Sequence, residues 1–225
     1  MITFLVLTYK RKKYLDECVY SYITQKNINN TEMLIINDDV DVNYRFNHPN
    51  IRIINHNKRF KSLGDKLKFG FDKSNNDLIY RLDDDDMLIP NAIDYLYLKL
   101  NKKIIEDYLI FRSREHYLFE DDIFSKIRSN LNSGNIYRKD LMKIIPSISH
   151  TEDVYMIQQA NGKIYEFDKP TMIYRNNADT YSFHDIGRKY NNNGLEYVRS
   201  KYFDYKGIIE LKPQFYNEYY SQLKK

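Results

Sequence analysis

Residues 77–86 read Asp77-Leu78-Ile79-Tyr80-Arg81-Leu82-Asp83-Asp84-Asp85-Asp86. An apolar run of strand length passes without a spacer into four consecutive aspartates. Pro90 follows, placed to open a helix at its first turn, with Ile93, Leu96, Leu98 and Leu100 behind it as the apolar residues. Adjacent carboxylates repel, so four together cost stability unless a cation shares the site. Magnesium and manganese favour carboxylate oxygens and take waters and substrate phosphates as their other ligands. A solvated acidic turn is the blander reading. Its position at the end of a strand and just before a helix argues against it.

Upstream, the same alternation repeats. Residues 2–7 are continuously apolar, as in a strand buried on both faces. Leu15, Cys18, Val19, Tyr22 and Ile23 then form one helical stripe over 14–25. Met33-Leu34-Ile35-Ile36 is a second buried strand, stopped by Asn37-Asp38-Asp39. Ile51-Arg52-Ile53-Ile54 is a third. Leu63, Leu67 and Phe71 mark a helix over 61–74. Strands alternating with helices over the first 100 residues imply an α/β fold with a mostly parallel sheet. Such sheets bind ligands beyond the carboxyl ends of their strands. Three polar clusters fall at those ends: Thr8-Tyr9, Asp38-Asp39 and Asp83 to Asp86.

Downstream, residues 107–119 read as strand and 133–138 as a short strand before a helix over Lys139–Ile145. Thr151 is placed to cap a helix through Gln159, with Glu152 and Asp153 in the first turn, where the helix dipole favours acids. Residues 163–167 and 171–175 read as strands separated by Pro170. The tail, 190–225, carries a helical stripe of Phe215, Tyr219 and Leu223, a docking face that suits a homodimer. No repeat or linker divides the chain.

The composition narrows the function classes. The 225 residues suffice for a full core. No apolar run approaches the length needed to span a bilayer. Met1-Ile2-Thr3-Phe4 has no basic n-region or cleavage site, and Cys18, the single cysteine, rules out a disulfide framework or zinc cluster. A soluble cytoplasmic protein, at most peripheral to a membrane, is expected. The net charge of +4 is too small to indicate a nucleic-acid surface. Abundant Tyr, Lys, Asn and Ile reflect codon bias, so tyrosine and lysine counts carry no argument.

Taken in order, the motifs resemble the GT-A glycosyltransferases, specifically the inverting family 2 type. The opening strand and turn, Met1 to Arg11, are similar to the family's nucleotide-contacting turn. Tyr14-Leu15-Asp16-Glu17-Cys18 through Ser21 and Gln25 resembles its first helix. Glu32 to Asp39 resembles its second strand and acidic pair, and Leu82 to Pro90 its D-x-D segment. His150-Thr151-Glu152-Asp153 resembles its catalytic acidic pair. The resemblance covers roughly residues 1–180. It implies a GT-A domain over 1–185, with a nucleotide-sugar half (1–100) and an acceptor half (101–185), and a helical C-terminal extension over 186–225.

It also implies roles. Thr8, Tyr9 and Asp39 would line the nucleobase pocket, Asp39 accepting from a uracil-type imide. Asp83 or Asp84 would meet the ribose and the metal, and Asp85 would be the principal ligand of Mn2+ or Mg2+. Asp86 would shape the turn. Asp153 would be the base that deprotonates the acceptor, with Glu152 beside it. Ser133-Gly134-Asn135-Ile136-Tyr137-Arg138 resembles the segment under acceptor and donor sugar, with Gly134 allowing close backbone approach and Asn135 beside it. Arg59, Lys61, Lys66 and Lys68 lie where a basic residue near the diphosphate is common; Lys66 is carried as the candidate. The chain departs from the pattern in three places. Asn176 stands where a metal-reaching histidine often follows Tyr-Arg, and His184, on a loop over Ala178–Gly187, is the substitute. Lys10 replaces a common asparagine, and Val40-Asp41 replaces Gly-Ser after the acidic pair.

The implied activity is transfer of a sugar from a nucleoside-diphosphate sugar, UDP-linked by preference, to a glycan, lipid-linked or protein acceptor. Three other classes compete. A sugar nucleotidyltransferase would carry a glycine-rich basic loop after the first strand, and Thr8-Tyr9-Lys10-Arg11-Lys12-Lys13 has no glycine. A nonenzymatic nucleotide-sugar-binding module would not need both Asp85 and Asp153, although fold alone does not decide function. A nucleic-acid enzyme is disfavoured by the near-balanced charge.

Overall fold

The computed structural model describes residues 1–120, 123–128, 133–149 and 151–176. The extension expected over 186–225, with its stripe of Phe215, Tyr219 and Leu223, lies outside them, as does His184.

The elements run β1 (Ile2–Thr8), α1 (Lys12–Ile23), β2 (Thr31–Asn37), β3 (Ile51–Asn55), α2 (Leu63–Lys73), β4 (Leu78–Arg81), β5 (Met87–Leu88), α3 (Ala92–Lys99) and α4 (Lys102–Asp107). They continue with β6 (Ile110–Ser113), β7 (Glu115–Glu120), β8 (Ile123–Arg128), β9 (Ile136–Arg138), α5 (Glu152–Gln159), β10 (Ile164–Phe167) and β11 (Met172–Asn176). The central sheet has the order β10-β6-β9-β4-β1-β2-β3. β1, β2, β3 and β4 are parallel neighbours, and β9 runs antiparallel between β4 and β6. The fold is thus mixed α/β with a mainly parallel central sheet.

Why β1 reads as continuously apolar is visible in the packing. Phe4 and Val6 point to one face, where they join Leu15, Cys18, Val19 and Tyr22 of α1. Leu5 points to the other, against Leu67 and Phe71 of α2. With helices on both faces, period-2 alternation carries no polar residues. Met156 and Ala160 place α5 on the α2 face, and Ile93 and Leu96 place α3 on the α1 face.

β1 lies between β2 and β4. The chain steps outward to β3, then returns to the opposite side of β1. That reversal opens a crevice at the carboxyl ends of β1 and β4, the usual ligand position in open α/β sheets. Thr8 is level with Asn37. Leu5 is level with Arg81, so the residues after Arg81 run alongside the last turn of β1.

Several expected elements differ. Residues 107–119 do not form one strand: 107 ends α4, and the chain breaks at Arg114 between β6 and β7. There the Ser113 hydroxyl bonds both N–H and C=O of Glu115, and β7 leaves for a second sheet of order β5-β11-β7-β8. Pro90 does not open α3. Met87-Leu88 first pairs with β11, so the helix starts at Ala92 after a left-handed Asn91. Leu98 is 78% exposed, because it lies two residues from Leu96 and Leu100 and faces the other side of α3. Lys139–Ile144 winds as a 3-10 helix.

Gly64, in the first turn of α2, donates to the Ile148 carbonyl at 2.9 Å. A Cβ there would sit 1.9 Å from the Pro146 carbonyl oxygen. Gly64→Ala is therefore expected to lose about 1–3 kcal/mol in urea unfolding, by forcing the 146–148 segment off the helix.

Candidate functional site

Three groups of charges meet at the crevice. The first surrounds the end of β2. Asp38 accepts from Lys66 Nζ at 2.6 Å, from Arg59 Nη1 at 2.8 Å and from the Phe60 N–H at 3.1 Å. Lys66 Nζ also donates to the Thr8 carbonyl at 2.7 Å. Its ammonium thus ties α2 to the ends of β1 and β2. Burial pushes the Lys66 pKa down, with Asp38 opposing. Arg59 extends over Tyr9, its Cζ 3.4 Å from the ring centroid, a cation–π stack at the crevice mouth. Asp39 N–H donates to Asn37 Oδ1 and Asp39 Oδ1 accepts from the Asp41 N–H, a local turn in which its carboxylate joins no salt bridge among the described residues.

Centred on Arg81, the second group is buried. Its Nε donates to Asp83 Oδ1 at 3.0 Å and its Nη1 to Glu152 Oε1 at 3.0 Å. Burial opposes the Arg81 charge, but Asp83 and Glu152 outweigh it and hold the group protonated. Glu152 and Asp153 open α5. Thr151 stands at the N-cap position as expected, but in a left-handed conformation (φ 62°) with no side-chain cap bond. A capping hydroxyl needs extended backbone to reach the next N–H groups, and this turn points it elsewhere. Asp153, 6% exposed, joins no ion pair among the described residues.

The third group is the acidic segment itself. The Asp86 N–H donates to the Asp83 carbonyl, closing a tight turn. Asp86 points inward and accepts from the Arg175 N–H of β11 at 2.9 Å; burial, then Asp85 and Asp83, push its pKa well up. Arg175 also pairs with Glu17 of α1, so the turn is braced from both sides. Asp84 and Asp85 face the crevice. Arg11 Nη1 lies 2.9 Å from Asp84 Oδ1 and 2.9 Å from Asp85 Oδ2. Burial, with Asp84 next to it, pushes Asp85 up to about 7. Burial raises the Asp84 pKa, against Arg11 and the Thr8 hydroxyl.

Gly134 (φ 84°) donates its N–H to the Arg81 carbonyl at 2.8 Å, and a Cβ there would lie 2.8 Å from Met172 Sδ. It lets the segment before β9 run hydrogen-bonded alongside the end of β4. Asn135 is wholly buried beside it, its amide donating to Tyr137 Oη at 3.2 Å.

Direct contacts join Thr8 to Lys66, Asp83 to Glu152 through Arg81, Asp84 to Asp85 through Arg11, and Gly134 and Asn135 to the Arg81 backbone; Tyr9 stacks under Arg59, Asp39 keeps to a local turn, and Asp153 follows Glu152 at the start of α5. Three partners have no role of their own in the sequence reading: Asp38, marked only as half of an acidic pair, Arg11 and Arg81. The signal for Arg81 was present, since a charge inside an apolar strand must be paired to be buried. Among the described residues no three His, Cys, Asp or Glu converge as a closed metal cage. The donors nevertheless fit a hard cation shared with substrate phosphates, which needs only one or two carboxylates. One guanidinium, that of Arg11, serves the carboxylates of both Asp84 and Asp85.

Residues 3–106 match the family model of glycosyl transferase family 2. No curated protein matches the chain. Among solved structures, S. aureus TarS 1–349 superposes with a TM-score of 0.56 at 14% identity, covering 77% of this chain and 60% of that one. The same fragment in complex with UDP-GlcNAc gives 0.55 at 14%, covering 85% and 60%. S. aureus TarS gives 0.57 at 14%, covering 78% and 36%. The likeness is one of fold, and the chain spans about 60% of the length of the TarS fragment. No described helix is long and apolar enough to cross a membrane.

Lys66→Met removes the buried ammonium and leaves Asp38 with only the half-exposed Arg59 as a cation. A loss of about 3 kcal/mol in denaturant unfolding is expected. A loss under about 1 kcal/mol would mean that the pair does not hold the strand ends together.

Proposed function

We propose that this chain, a GT-A glycosyltransferase resembling family 2, moves a sugar from a nucleoside-diphosphate sugar to an acceptor hydroxyl with inversion at the anomeric carbon. The observation that carries the reading is the Arg81 bridge. One guanidinium joins Asp83 at 3.0 Å to Glu152 at 3.0 Å, so the acidic segment and the start of α5 face the same crevice.

The nucleobase stacks at Tyr9, whose ring already carries Arg59, and Asp39 accepts from its imide. UDP is the preferred nucleotide; the UDP-GlcNAc complex of TarS, a protein of the same fold, supports that choice. Asp83, Asp84 and Asp85 are the residues that would hold Mn2+ or Mg2+. When bound, the cation supplies Lewis-acid stabilisation of the departing diphosphate. Lys66 is committed to Asp38 and Thr8, so its part is to fix the strand ends around the donor.

Asp153 is the base. Glu152 is committed to its ion pair with Arg81, whereas Asp153 joins no ion pair among the described residues. The acceptor oxygen attacks the anomeric carbon from the face opposite the diphosphate. Its proton passes to the Asp153 carboxylate, and the bond to the phosphate oxygen breaks with its electron pair leaving on the nucleoside diphosphate. Base catalysis of this kind is worth roughly 10²–10⁴-fold. Gly134 and Asn135, hydrogen-bonded beside Arg81, are assigned to the sugar side.

Two variants test the assignment. Asp153→Asn is expected to cut turnover by roughly 10²–10⁴-fold while nucleotide-sugar binding is retained. Asp85→Asn is expected to remove metal-dependent nucleotide binding. Equal turnover in Asp153→Asn and wild type would discard the base assignment.

A further inference from the structure

Arg11 occupies an unusual place. A single nitrogen, Nη1, lies 2.9 Å from an oxygen of Asp84 and 2.9 Å from an oxygen of Asp85. It bridges two carboxylates as a small cation would. The backbone around it is a turn: Lys10 is left-handed (φ 57°), and Arg11 sits at the N-cap of α1 with no side-chain cap bond. Its side chain is 18% exposed, more than those of the two acids it holds. Its route out of the crevice is therefore toward solvent, while Asp84 and Asp85 are fixed by the turn that Asp86 closes.

The charges around it do not balance. Asp83 is paired with Arg81, and Asp86 points inward to β11. Asp84 and Asp85 share Arg11, so one guanidinium serves two carboxylates. A divalent cation would bind carboxylate oxygens at about 2.0–2.2 Å. A guanidinium nitrogen already between the two oxygens occupies that position, and two cations this close repel strongly in a site with little water. Arg11 and a metal cannot both hold this pair of oxygens.

We propose that Arg11 is a resident counter-ion that competes with the divalent metal: it clamps Asp84 and Asp85 in the metal-free protein and must swing out before a cation can bridge them. The inference rests on the metal site proposed above. It adds that metal affinity is set by the cost of displacing Arg11, so the free protein binds metal weakly.

The test is calorimetric titration of Mn2+ alone into the metal-stripped full chain, without nucleotide, for wild type, Arg11→Gln and Arg11→Lys. Arg11→Gln is expected to tighten Mn2+ binding roughly tenfold or more, because two charge-assisted hydrogen bonds no longer have to break. Arg11→Lys, shorter and without the planar fork, falls between it and wild type. Thermal unfolding in EDTA and in Mn2+ gives a second readout: Arg11→Gln is destabilised in EDTA, and Mn2+ recovers it by more than it raises wild type. Equal or weaker Mn2+ binding in both variants, with measurable binding in wild type, overturns the competition and leaves the metal site standing. No Mn2+ binding in any of the three proteins, with or without UDP, overturns both.

Discussion

Arg81 is 6% exposed, with Asp83 and Glu152 each 3.0 Å from its guanidinium. Removing such a charge from water is expensive, and only good geometry to both acids offsets it. That requirement fixes where α5 begins relative to the end of β4. Gly134 serves the same end of β4: its N–H bonds the Arg81 carbonyl, and a Cβ there would meet Met172 Sδ at 2.8 Å. Through Arg81, a residue over 70 positions downstream is brought to the crevice that β1 and β4 create.

Two other cations organise the rest of the rim. Lys66 fastens the ends of β1 and β2 through Thr8 and Asp38, and Arg11 spans Asp84 and Asp85. Acid and base are unevenly matched. Asp38 has two cations, whereas Asp84 and Asp85 share one. Asp153 joins none of these three pairings. Asp86, inside the same run of aspartates, does something else: it anchors β11 and keeps the turn rigid.

Much of this was legible in the sequence because burial on both faces leaves an unmistakable apolar run. β1 and β2 are written that way, and each stops at a polar cluster on the rim. The helices flanking them show 3.6-residue stripes. The partners of the carboxylates were less legible. Arg11 and Arg81 come from elements whose register only the folded sheet sets, and Asp38 looks equivalent to Asp39 until Lys66 and Arg59 are seen to choose it. The second sheet was hidden because Met87-Leu88 is too short to read as a strand and because Ser113 breaks what looks like one strand over 107–119. Thr151 carries the right side chain for a cap and the wrong backbone, a difference that only φ reveals.

Calorimetric titration of a panel of nucleoside diphosphates, their sugars and nucleoside triphosphates, in Mn2+ and in EDTA, tests the central claim most directly. One nucleoside-diphosphate sugar is expected to bind in Mn2+, with that binding lost or sharply weakened in EDTA. Binding of a nucleoside triphosphate alone, or of a nucleotide sugar with the same affinity in EDTA, would contradict the account.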